Sequence, residues 1–67
     1  MKIKLYKQES EIYKRLYWVD LSKVIAISDI INSDSSFRIY FDNSEPWIVT
    51  PHESITYAEI ITRWQNE

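Results

Sequence analysis

Cysteine and glycine are both absent from this chain of 67 residues, and each absence excludes a class of protein. Without cysteine there is no disulfide framework, no thiolate zinc site and no reason to expect an oxidising compartment. Without glycine there is neither a dinucleotide fingerprint nor a phosphate-cradling loop, since both need a residue lacking Cβ where backbone approaches phosphate. Histidine is nearly absent too: His52 stands alone, so a zinc ion would have to take carboxylates as its other ligands, and nothing near it resembles a base–nucleophile pair. Asp42 and Glu45 share a turn with Asn43 and Ser44, but a calcium loop needs more oxygen ligands and a glycine at its bend. Solvation of a hairpin turn accounts for these residues. The chain therefore reads as non-enzymatic, with no cofactor and no metal. Long apolar runs are missing as well. Charges interrupt Met1-Lys2-Ile3-Lys4-Leu5-Tyr6-Lys7 before any signal peptide or membrane span could form, so no membrane contact and a cytoplasmic location are expected.

Apolar material is plentiful. Hydrophobic residues make up 45% and aromatics 15%, more than a disordered chain carries. The length suits one domain spanning residues 1–67, and no repeat or linker divides it. A domain this small buries only about 60% of the surface its unfolded chain exposes. Self-association is the natural reinforcement, so a homo-oligomer is expected. The formal charge of -2 is unevenly spread. Lys2, Lys4, Lys7, Lys14, Arg15 and Lys23 make the first third basic, while acidic side chains outnumber Arg38 and Arg63 in the remainder.

Periodicity predicts an α+β fold: an antiparallel sheet of four to five strands, strongly twisted or a half-barrel, packed against one C-terminal amphipathic helix. Met1–Lys7 alternates Ile3 and Leu5 against Lys2, Lys4 and Tyr6, the period-2 pattern of a strand with one wet face. Ile12–Val19 is rich in β-formers, yet neither of its faces is wholly apolar. A corner at Asp20-Leu21-Ser22-Lys23 follows, with Leu21 expected to plug the core. Val24–Ile31 is apolar on both faces and reads as a central strand. After the loop Asn32–Ser36, Phe37–Asp42 alternates Phe37, Ile39 and Phe41 against Arg38, Tyr40 and Asp42. Trp47–Thr50 makes the last strand. For the helix, two start signals compete: a capping box at Thr50-Pro51-His52-Glu53, and Ser54 as a later cap. Either start places Tyr57, Ile60, Ile61 and Trp64 on one stripe facing the sheet.

If the helix covers Ile3, Leu5, Phe37, Ile39 and Phe41, the other face of the sheet shows Lys4, Tyr6, Arg38 and Tyr40, joined by Tyr13, Arg15 and Tyr17 if the second strand turns that side outward. Tyrosine and arginine supply contact area and hydrogen bonds together, so this face suits a protein partner or a second copy of the chain. The same rings and cations would also suit single-stranded nucleic acid, by base stacking and phosphate neutralisation. The net negative charge argues against tight nucleic-acid binding.

The segment Tyr40-Phe41-Asp42-Asn43-Ser44-Glu45-Pro46-Trp47-Ile48-Val49, with Glu53-Ser54 and Ala58-Glu59-Ile60-Ile61 after it, resembles small bacterial proteins of the flagellar FlbD type. Those run strand, polar turn, strand, then a Glu-Ser step into a C-terminal helix. Ser44 stands where that family has the glycine of an Asn-Gly turn. The resemblance covers less than half of the chain and implies the order of elements, with no functional residue to carry over. Abundant Ile, Lys, Asn and Ser fit AT-rich coding sequence, hence a bacterial or phage origin. The functional expectation is a non-enzymatic protein-interaction or regulatory module.

Overall fold

The structure, a computed structural model, describes residues 1–67 and has five antiparallel strands and one C-terminal helix, an α+β fold. The strands are β1 (Lys2–Gln8), β2 (Lys14–Asp20), β3 (Val24–Ile27), β4 (Phe37–Phe41) and β5 (Trp47–Pro51), and the helix α1 is Tyr57–Gln65. They form one sheet in the order β2-β1-β5-β4-β3.

That order forces the sheet to curl. β2 and β3 lie at opposite edges, and a flat five-stranded sheet would hold them about 19 Å apart. Yet only Leu21–Lys23 joins them, as a single 3-10 turn, which advances about 2 Å per residue. The two edges must therefore approach each other, and the sheet becomes an open barrel with its seam between β2 and β3. Asp20 caps the turn by accepting the Ser22 N–H at 3.0 Å and the Ser22 hydroxyl at 2.7 Å. Leu21 points into the barrel and is fully buried, the plug its position predicted.

The concave face holds the core. Ile3 and Leu5 from β1, Val19 from β2, Val24 from β3, Phe37 and Ile39 from β4 and Val49 from β5 are all buried, together with Leu21, Ile55 and Ile60. The period-2 expectation for β1 and β4 holds in detail: every residue assigned inward is buried except Phe41, which is half-buried at the rim.

Three elements differ from expectation, and the first is β2, which runs from Lys14 to Asp20 rather than from Ile12 to Val19 and leaves Ile12 exposed. The third strand stops at Ile27 rather than Ile31, and it is an edge rather than a central strand. A register shift between Val24 and Ala26 marks a bulge, and Ile25, Ile30 and Ile31 face solvent. Apolar character on both faces normally means burial on both, but the short 3-10 turn commits this strand to the seam. The helix also starts later than either Thr50 or Ser54. Pro51 closes β5, and the cap is Thr56, whose Oγ1 accepts the Glu59 N–H at 3.2 Å. Thr56-Tyr57-Ala58-Glu59 has the capping-box sequence, and here the Glu59 carboxylate accepts from the Thr56 hydroxyl at 3.2 Å. It prevails because Ile55, buried just before it, must first reach the core.

From that start the predicted stripe forms, with Ile60 fully buried and Tyr57, Ile61 and Trp64 half-buried. Its two ends brace β3. The Trp64 indole Nε1 donates to the Val24 carbonyl at 2.9 Å, and the Tyr57 hydroxyl donates to the Ser28 carbonyl, also at 2.9 Å. Tyr57 also meets Phe37 edge to face, with ring centroids 4.9 Å apart. With no glycine available, the left-handed turn positions fall to Ser35 (φ 68°) and Asn43 (φ 59°). Asparagine tolerates that region through local hydrogen bonding, whereas serine bears more of its steric cost.

Candidate interaction surface

Each edge of an open sheet carries unpaired backbone N–H and C=O groups, and the two edges here are treated differently. β3 is short and bulged, and α1 side chains take up carbonyls at Val24 and Ser28. These are the usual protections of an edge. β2 has neither bulge nor brace, and its only protection is the charge of Lys14, Arg15 and Asp20 at its two ends. It runs seven residues in unbroken register with β1, from Lys2 opposite Asp20 to Gln8 opposite Lys14, and contains no proline. Its outer face carries Leu16, 41% exposed, and Trp18, 66% exposed.

Beside this edge, where the seam opens, lies a groove of about 350 Å³ lined by Trp18, Val19, Asp20, Lys23, Phe41, Ser44 and Trp47. Its inner wall belongs to an aromatic cluster. Trp47 packs against Tyr17 and edge-on to Phe41, each at 5.2 Å between centroids. The Lys7 ammonium sits 4.6 Å from the Trp47 ring and 5.9 Å from the Tyr17 ring. Glu9 completes the group, 3.6 Å from the Lys7 Nζ and accepting the Tyr17 hydroxyl at 2.6 Å. That hydroxyl holds the Glu9 carboxyl below the usual range, and the carboxylate in turn pushes the Tyr17 phenol up.

The predicted interaction face divides. Lys4, Tyr6, Arg38 and Tyr40 do lie on the convex side, by alternation from Ile3, Leu5, Phe37 and Ile39. Arg15 and Tyr17 do not. Pairing sets Tyr17 opposite Leu5 and Arg15 opposite Lys7, so both lie on the concave side, and Tyr13 precedes the strand altogether. The residues β2 presents outward are Leu16 and Trp18, which sequence reasoning left out of the face. No local pattern singled them out: Val19 turns inward because it pairs with buried Ile3, and that register turns the even-numbered residues of β2 outward.

At the other end of β2 the convex side carries a polar network. The Lys14 Nζ donates to Asp34 at 3.0 Å and to the Thr50 hydroxyl at 2.9 Å, while the buried Ser36 donates its hydroxyl and its N–H to Asp34. The network ties the 28–36 loop to the sheet. Donation from the Ser36 hydroxyl, then from Lys14, lowers the Asp34 carboxyl from 3.8 to about 2. A carboxyl lowered on folding stabilises the native state above its unfolded value, and that contribution disappears as pH falls through the folded one. The urea midpoint should therefore drop between roughly pH 4 and pH 2, and Asp34→Asn should flatten that drop. An equally steep fall in the variant would place the acid sensitivity elsewhere.

No three or more His, Asp or Glu side chains come together as a metal site, and no helix is long and apolar enough to cross a membrane. No family model, curated protein or solved structure matches the chain. The likeness of the 40–61 segment to FlbD-type proteins accordingly rests on its own residues.

Proposed function

We propose that this protein is a non-enzymatic interaction module that works by strand pairing along β2, with a second copy of the chain as the occupant. The observation that carries this reading is the unequal treatment of the two sheet edges: β3 is bulged and braced, while β2 is long and regular, with exposed Leu16 and Trp18 at the middle of its outer face. An edge left open in that way is a template for another strand.

The sequence of β2, Lys14-Arg15-Leu16-Tyr17-Trp18-Val19-Asp20, is also self-complementary. Placed antiparallel to itself about Tyr17, it sets Leu16 opposite Trp18 twice and Lys14 opposite Asp20 twice. Within one chain Asp34 already engages Lys14, and Ser22 engages Asp20, so the charged ends add register more than affinity. The central Leu16–Trp18 pairs supply the attraction, since cross-strand aromatic–aliphatic pairs are worth about 0.2–1 kcal/mol each beyond simple burial. Pairing of seven residues per chain is small beside standard interfaces of about 800 Å² per partner, which points to micromolar, reversible association suited to regulation. The composition, rich in Ile, Lys, Asn and Ser and lacking Gly, supports a bacterial or phage cytoplasm as its setting.

Light scattering across about 10–300 µM should show the mass rising from 8.1 kDa toward twice that value. Leu16→Lys with Trp18→Lys places charges on an exposed face and should hold the chain monomeric with its circular dichroism intact. A wild-type chain that stays monomeric throughout that range would sink the reading. A single strand of nucleic acid, the alternative occupant, is less well served, because Arg15 and Tyr17 leave the convex face to Lys4, Tyr6, Arg38 and Tyr40.

A further inference from the structure

We infer that a second concavity, between β1, the turn before the helix and α1, is a binding site for a nucleoside phosphate. The cleft measures about 440 Å³, within the range of small-molecule sites. Lys4, Trp18, His52, Ser54 and Arg63 line it over a floor of Ile3 and Ile55. β1 supplies Lys4, β2 Trp18, the turn His52 and Ser54, and the helix Arg63, so the fold brings together residues spread over most of the chain.

Charge is the first argument. The chain is net acidic, yet no carboxylate lines this cleft. Neither Lys4 nor Arg63 takes part in any of the chain's ion pairs, and the polar contact Arg63 makes is with the Met1 Sδ at 3.9 Å. Two unneutralised cations facing one hollow favour an anion, and a guanidinium can hold phosphate oxygens in pairs.

Preorganisation is the second. The Ile55 N–H donates to the His52 carbonyl at 3.0 Å, closing the turn, and the buried Ile55 side chain anchors it. The Ser54 N–H donates to His52 Nδ1 at 3.4 Å, and the Ser54 hydroxyl lies 3.1 Å from the same nitrogen. An Nδ1 that accepts leaves the ring proton on Nε2, which makes the imidazole a donor. Side chains thereby supply the donors that a glycine-rich loop would supply from its backbone.

The aromatic wall is the third, and it sets the ligand class. Trp18 is 66% exposed, and Lys4 Nζ sits 5.0 Å from its ring centroid. The ammonium covers one side of the indole and leaves ring surface for a base, while remaining within the cleft to meet a phosphate. Base stacking on exposed rings together with cationic neutralisation of phosphate is how nucleotides are held without sequence preference. Trp18 is shared with the proposed β2 pair, whereas Lys4, Ser54 and Arg63 lie outside that strand, so shifts at those three report the nucleotide whether or not the strands pair.

The test is a low-salt titration of the ¹⁵N-labelled chain with adenosine monophosphate, adenosine, inorganic phosphate and a short oligo-deoxyadenylate, following amide and indole shifts. Adenosine monophosphate should move Lys4, Ser54, Arg63 and the Trp18 indole together and saturate, binding about tenfold or more tightly than either adenosine or phosphate alone. Arg63→Ala, on an exposed helix position, should keep the spectrum of the folded chain and weaken the nucleotide about tenfold or more, the effect of losing one charge-assisted contact. Tighter binding of the oligonucleotide per site identifies a strand as the source of the nucleotide, and equal binding identifies the free nucleotide. Absence of saturable shifts at these residues, undiminished binding by Arg63→Ala, or inorganic phosphate binding as well as the nucleotide would each overturn the inference.

Discussion

Phe37→Ala should remove roughly half of the protein's stability at 25 °C. Phe37 is fully buried at the start of β4, opposite Val49 in the ladder, and packs edge to face with Tyr57 of the helix. Truncating a buried phenylalanine costs about 3–5 kcal/mol, because the lost transfer energy adds to a cavity that the surroundings fill only in part. A domain of this length has roughly 3–10 kcal/mol in total. The loss is aggravated here because the ring links the sheet to the helix, so its removal loosens both at once. Phe37→Leu, which keeps most of the volume, should cost only about 1 kcal/mol. Urea titrations followed by circular dichroism compare the two, and a Phe37→Ala chain with a midpoint near that of wild type would mean that the barrel closes without this contact.

Trp64→Ala should be nearly as damaging, at about 3 kcal/mol, for a different reason. The indole is only half-buried, so part of its area stays wet in either state. Its Nε1, however, satisfies the Val24 carbonyl on the exposed margin of β3. Removing it costs packing and also leaves that carbonyl without its protein partner. Trp64→Phe separates the two effects, retaining the ring's apolar contact and losing the hydrogen bond, for about 1 kcal/mol. Amide exchange in β3 should accelerate in both variants, more in Trp64→Ala. If Trp64→Ala keeps a normal thermal transition, the helix is peripheral to the fold.

The elements legible in the sequence are those whose pattern depended on one contact surface. β1 and β4 alternate cleanly because one side of each meets the core and the other meets water, so period 2 alone names Ile3, Leu5, Phe37 and Ile39 as buried. The helix stripe was legible on the same ground. β2 was not, because its two sides are similarly mixed: Ile12, Lys14, Leu16 and Trp18 against Tyr13, Arg15, Tyr17 and Val19. Its orientation came from pairing with β1, which turned Val19 and Tyr17 inward and so moved two residues of the expected interaction face to the opposite side of the sheet. Competing helix caps failed for a related reason. Thr50, Ser54 and Thr56 all carry capping side chains, and local chemistry does not choose among them; burial of Ile55 does.

The sequence by itself determined that this chain folds as a small antiparallel sheet with one C-terminal helix, and that it lacks the cysteine and glycine on which several chemistries depend. Those properties follow from composition and local period, which act over a few residues. Only the tertiary structure decided that the sheet is an open barrel. The strand order places β2 and β3 at opposite edges, the three-residue turn between them draws those edges together, and neither constraint exists until the strands have paired. From that closure come the braced β3, the open β2 edge with Leu16 and Trp18 outward, and the cleft that gathers Lys4, His52 and Arg63 from distant parts of the chain.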